Sequence, residues 1–248
     1  MANWSDPRSG ATRFATASDT RSEAFDAGLR SYMLSVYNFM FSGILLTGLV
    51  AMFFSWGGMN SPAAHVMMGG GLLRYVIMFA PLGFVFGMSF GGARMSAGTL
   101  QAMFWGFAVA MGLSLSTVFL VYTGTSIAQT FFAVTAAFLG LSLYGYTTKK
   151  DLSGFGTFLI MGVVGLFIAM LINIFLRSPA MNLAISAIGV LLFAGLTAYD
   201  TQKIKSIYFS VAGNGEAMAK SAVLGALNLY LDFINMFLFL LRFMGDRR

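Results

Sequence analysis

Apolar positions in this chain fall in long unbroken runs separated by short polar breaks, and the length of the runs decides the class. A helix needs about 20 residues to cross the hydrocarbon of a bilayer. Seven runs reach that length, at roughly 32–55, 72–93, 98–121, 125–146, 155–176, 180–201 and 222–244. Strands are excluded, because the runs are too long and lack two-residue alternation. Several breaks are short, which predicts an up-and-down arrangement with sequential helices packed antiparallel. The pattern therefore predicts an all-α polytopic membrane protein, a seven-transmembrane-helix bundle. Residues 1–30 read as a polar N-terminal tail and 31–248 as the membrane domain. The tail mixes Asp6, Arg8, Arg13, Asp19, Arg21, Glu23, Asp26 and Arg30 and has no apolar core segment, so neither a cleavable signal nor an acid-poor transit peptide is read there.

Composition sharpens this reading. Of 248 residues, 58% are hydrophobic and only 10% charged, with mean hydropathy +0.78. A soluble domain carries about a quarter of its residues as charges, whereas no Asp or Glu occurs here between Ala27 and Lys150. With no cysteine and a single histidine, His65, disulfides, thiolate metal sites and multi-histidine sites are all excluded. The net charge of +6 is spread between apolar runs without a dense patch, which argues against nucleic-acid binding. It orients the bundle instead. With the N-terminus inside, Arg8, Arg13, Arg21, Arg30, Arg94, Lys149, Lys150, Lys203, Lys205 and Lys220 fall on the inner side, against Arg74 and Arg177 outside. Arg242, Arg247 and Arg248 are the exception. Seven full spans put them outside, and a re-entrant last segment would return them to the cytoplasm.

Ionisable groups inside a span need a partner, a cavity or a task. Two acids qualify: Asp200, at the cytoplasmic end of the sixth run, and Asp232, near the middle of the seventh. On the seventh run Ser221, Gly225, Asn228, Asp232 and Asn235 follow helical spacing and share a stripe about 80° wide. A polar stripe on an apolar helix faces protein or water, so the last helix is expected at the centre, its stripe lining an internal path. The plainer alternative is a packing knot, with Asp232 bonded to Asn228, Asn235 and nearby hydroxyls.

Two carboxyl groups close together and poor in water cannot both ionise cheaply, so the pair is expected to share a proton near neutral pH. Fully deprotonated, the same groups offer hard oxygen ligands for calcium. Arg94, at the end of the second run, is a candidate ion-pair partner for Asp200; its alternative is a snorkelling, topology-setting arginine. Other matches fail. Gly87-Met88-Ser89-Phe90-Gly91 follows no strand and has only His65 as a base, so it reads as a helix-packing face, with Gly83. Gly69-Gly70-Gly71 lacks the lysine of a phosphate loop, and Asn3-Trp4-Ser5 fits a glycosylation sequon within the presumed cytoplasmic tail.

Tyr199-Asp200-Thr201-Gln202-Lys203-Ile204-Lys205 and Leu229-Tyr230-Leu231-Asp232-Phe233-Ile234-Asn235-Met236-Phe237 resemble the Bax inhibitor-1 family, also called the transmembrane Bax inhibitor motif family. Lys149-Lys150-Asp151-Leu152-Ser153 resembles it as well, and the likeness runs from the first span onward. It implies a seven-helix bundle with a central last helix, and a pH-sensitive calcium leak as in prokaryotic relatives. It also implies that Asp200 and Asp232 are pH sensor and gate, with Arg94 able to pair with one of them. Some relatives carry an acid inside the second helix, and residues 72–93 here have none. The expected activity is thus a passive cation leak, with calcium as permeant ion, protons as regulators, membrane lipid as surroundings and no tightly bound cofactor.

Two other readings compete. One is a non-transporting modulator of a membrane-bound quality-control protease, acting through the tail. The other is an intramembrane aspartyl protease, for which Tyr199-Asp200 fits but Leu229-Tyr230-Leu231-Asp232 lacks the required glycines; an enzyme is not expected. The expected location is a bacterial-type cytoplasmic membrane, with the N-terminus cytoplasmic.

Overall fold

The computed structural model describes the backbone of residues 17–248 and the side chains from Phe25 onward. The described chain forms α1 Ala17–Phe54, α2 Pro62–Met68, α3 Leu72–Gly91, α4 Ala97–Val121, α5 Gly124–Thr147, α6 Ser153–Leu176, α7 Pro179–Val211 and α8 Gly215–Met244. All but the short α2 are long and apolar enough to cross a membrane, which makes the chain an all-α polytopic membrane protein. Helix α1 already begins at Ala17, so part of the stretch read as a tail over 1–30 belongs to the first helix. The sequon at Asn3 lies outside the described residues.

Side-chain caps decide where several helices start. Ser61, Ser96, Thr123, Ser178 and Asn214 each accept a hydrogen bond from a backbone N–H in the first turn of α2, α4, α5, α7 and α8, and Pro62 and Pro179 follow two of them. Between α7 and α8 the chain reverses within Ala212–Asn214, where Gly213 takes φ 94°.

Helix α8 sits at the centre, against α7, α1, α5 and α4, while α3 packs mainly on α4 and α6 mainly on α7. Burial follows from this order: 67% of the apolar window of α8 is buried, against 11% for α6, whose Phe158, Met161 and Phe175 face outward. Close approach of α5 and α7 needs Gly145, where a side chain would collide with the Ala198 carbonyl. The small-residue face on α3 is narrower than its spacing suggests. A Cβ at Gly87 would meet Met103 of α4 at 2.9 Å, but Gly83 faces open space.

The C-terminus settles which end of the bundle it occupies. Helix α8 is unbroken, and the segment after it pairs with the α4–α5 turn: Thr123 N–H donates to the Asp246 carbonyl (3.1 Å), Arg248 N–H to the Val121 carbonyl (2.9 Å) and Asp246 N–H to the Ser126 hydroxyl (3.0 Å). Phe25 of α1 lies at the opposite end, beside Tyr208 of α7. A re-entrant last segment is therefore excluded, and Arg242, Arg247 and Arg248 lie at the end away from Phe25.

Candidate functional site

Asp232 stands on the buried side of α8 with 4% of its surface exposed. Its carboxyl meets that of Asp200, from α7, within hydrogen-bonding range. The other oxygen of Asp232, Oδ2, has no hydrogen-bond partner among the described residues. Asp200 is half-buried. Helix α7 continues past it to Val211, so the helix outlasts the apolar run that Asp200 ends.

Hydrogen bonds mark the level where α7 leaves the apolar interior. The Gln202 amide donates to the Lys150 carbonyl (2.8 Å) and accepts from Leu152 N–H (2.9 Å), and Lys205 Nζ donates to the Tyr146 carbonyl (2.8 Å). The Asp200 carboxyl thus lies just inside the boundary where the α5–α6 loop grips α7.

The other expected residues divide. Arg94 is exposed in the turn between α3 and α4 and forms no ion pair with Asp200. Sequence places the two at one membrane level but fixes neither azimuth nor separation. The cation whose charge reaches Asp200 is Lys203, one turn further along the same helix. Gly225 is buried against α7, where a Cβ would meet the Ile204 side chain at 3.2 Å. Ser221, Asn228 and Asn235 lie on the half-buried side of α8. Asn235 turns back on its own helix and donates to the Leu231 carbonyl (2.8 Å), and the Ser221 hydroxyl donates to the Met218 carbonyl (3.0 Å). The stripe thus splits, and neither asparagine hydrogen-bonds Asp232.

Two polar clusters were not foreseen. The Tyr230 hydroxyl bonds the Thr47 hydroxyl at 2.7 Å, and Thr47 donates to the Ala108 carbonyl at 2.8 Å, so α8, α1 and α4 are tied in the core. Thr201, next to Asp200, donates to the Ser142 hydroxyl of α5 (3.4 Å), with the Tyr37 hydroxyl of α1 beside both. The only sequence signal for either was hydroxyl side chains within apolar runs. Tyr37 and Ser142 line a groove of about 520 Å³ between α1 and α5, together with Arg30, Asn38 and Tyr146. Beyond it, toward the C-terminal end, lies an apolar cavity of about 90 Å³ bounded by Ile127, Phe131, Phe233 and Phe237.

As for metals, no group of three or more His, Cys, Asp or Glu side chains comes together among the described residues. Calcium takes six to eight oxygens, more than two carboxyl groups supply.

A central helix packed among its neighbours, inside a bundle with seven long apolar helices, defines an all-α polytopic membrane protein. The family described as Inhibitor of apoptosis-promoting Bax1 matches residues 29–248, and the chain belongs to this Bax inhibitor-1 family. It is 48% identical to RP147 of Rickettsia prowazekii over 92% of this chain and 95% of that protein. It is 45% identical to a Caulobacter vibrioides protein (93% and 94% covered) and 44% identical to the inner membrane protein YbhL of Escherichia coli (90% and 94% covered).

Proposed function

We propose that the protein is a passive, proton-regulated cation leak, with calcium as the permeant ion and Asp200 and Asp232 as sensor and gate. One observation carries the reading: two carboxyl groups from adjacent helices meet in the bundle interior, and one of their oxygens is unpartnered. While the pair shares a proton, it holds α7 and α8 together and presents a single negative charge. Loss of that proton leaves two like charges in contact where water is scarce, and their repulsion separates the helices. The freed oxygens then take part of a cation's shell, and the ion moves down its gradient. Arg94 serves as an ion-pair partner only after an inward move of the α3–α4 turn, so Lys203 is the cation that tunes Asp200 in the closed arrangement.

Hydrolysis is not part of this reading, because the bulky Leu229, Tyr230 and Leu231 precede Asp232 where a protease needs room for substrate backbone. The location we propose is the bacterial inner membrane, as the name of YbhL states for that relative. The Phe25 end, which carries Arg94, Lys149 and Lys150, faces the cytoplasm.

Calcium uptake into liposomes holding the purified protein tests this, from about pH 6 to about pH 8. Uptake that rises with pH in the wild type and loses that dependence in Asp232→Asn supports the leak. Background uptake in both rejects it and moves the function to the protease-modulator reading.

A further inference from the structure

The α5–α6 loop and α7 enclose a cleft of about 300 Å³, with Lys149, Lys150 and Asp151 on the loop side and Tyr199, Gln202 and Lys203 on the α7 side. Three lysines from two chain segments line this one small space. All three lysines are exposed, and none has a salt-bridge partner among the described residues, where the one ion pair is Lys220 with Glu216. The only acid in the cleft is already engaged: Asp151 Oδ1 accepts from Ser153 N–H at 2.9 Å. Hydrogen bonds from the Ser153 hydroxyl and backbone hold its carboxyl below the usual range, so it stays charged and leaves the cleft with two surplus positive charges.

The walls are held in place before any ligand arrives. Gln202 pins both sides of the loop, at the Lys150 carbonyl and the Leu152 N–H. Tyr199 forms the floor, its ring seated in the notch at Gly156 of α6, with Lys203 Nζ 5.9 Å from the ring centre. Helix α6 begins here at Ser153, its first N–H already held by the Asp151 carboxylate, so the lysines alone supply the free positive charge. Just below, on the outward face of α6, Phe155 (49% exposed) and Phe158 (64% exposed) stack with ring centres 6.3 Å apart. A cationic, preformed cleft at the membrane boundary, continued by exposed aromatic rings, matches a ligand with an anionic head and apolar chains.

We propose that this cleft binds the phosphate headgroup of an anionic phospholipid, with Lys149, Lys150 and Lys203 on the phosphate and the acyl chains along Phe155 and Phe158. The shared chemistry is a phosphate anion, and the membrane level of the cleft favours the lipid over free phosphate. Binding is independent of whether the aspartate pair conducts.

Native mass spectrometry of the full chain in detergent, titrated with phosphatidylglycerol or with phosphatidylcholine, tests the assignment. Each lysine near an anionic headgroup contributes about fivefold in affinity. The Lys149→Gln, Lys150→Gln, Lys203→Gln variant should therefore bind phosphatidylglycerol about a hundredfold more weakly. A charge-matched control, Arg177→Gln with Arg242→Gln and Arg248→Gln at the far end of the bundle, should stay within about twofold of wild type. Because all six side chains are exposed, circular dichroism should show unchanged helix content. Equal losses in the two variants, or equal binding of the two lipids by the wild type, overturns the site. Displacement of phosphatidylglycerol by about 10 mM inorganic phosphate overturns the lipid assignment in favour of a soluble phosphate.

Discussion

Tyr230 and Asp232 lie two residues apart on the central helix, both buried among apolar side chains, and their polar atoms end differently. The Tyr230 hydroxyl starts a chain that passes through Thr47 and closes on the Ala108 carbonyl. Asp232 meets a second acid and keeps one oxygen without a partner. The first arrangement is complete in one protonation state, so it serves packing. The second is complete in none, because a shared proton leaves Oδ2 unmet and two bare carboxylates repel. Polarity inside a span therefore does not mark function by itself. Neither does an orphaned atom, since the Tyr32 hydroxyl is also buried without a partner among the described residues. What sets Asp232 apart is the second acid beside it.

The sharpest way to break this comparison is to truncate the packing member. Tyr230→Ala removes a fully buried ring stacked edge-on against Phe107, with centres 4.9 Å apart, and should lower stability by about 3–5 kcal/mol. Asp232→Asn should leave thermal stability in detergent unchanged, since its amide can donate to the Asp200 carboxylate as the shared proton does and the pair still carries one negative charge. A melt in which Asp232→Asn loses as much as Tyr230→Ala would erase the distinction. Next in size, Asp232→Asn should flatten the pH dependence of uptake, which Tyr230→Phe should leave intact. Thr47→Val then removes a single bridging hydroxyl and should cost about 1 kcal/mol, read from the same melts.

The smallest expected effect concerns the charges around the pair. A nearby cation favours the deprotonated carboxyl, so Lys203→Gln should move the uptake profile toward higher pH. Arg94→Gln should move it less, because Arg94 forms no ion pair with Asp200. The reverse order would return Arg94 to the role its membrane level first suggested.

Much of the frame was legible in the runs of apolar residues, because crossing a bilayer imposes a minimum length that composition reveals. The central place of α8 was legible too, since Asp232 cannot face lipid. Helix starts beyond the membrane were not: the polar residues from Ala17 onward form helix with no apolar face to announce it. Asp200 looked terminal because Lys203 and Lys205 follow it, yet Lys205 reaches the Tyr146 carbonyl and the helix runs on. Gly225 shared the helical stripe of Asp232, but the position of Ile204 on α7 made it a packing contact. Thr47 and Tyr230 are separated by 183 residues, and no spacing rule links them.

The account stands on Asp200 and Asp232 titrating as one unit, and the pH profile of calcium uptake in both single variants and the Asp200→Asn, Asp232→Asn double variant tests that most directly. Groups that act as a unit are strongly non-additive. Each single variant should therefore lose the pH response as completely as the double variant does. Single variants that each keep about half of the response, adding up to the double, would contradict a shared proton and leave the two acids as independent residues.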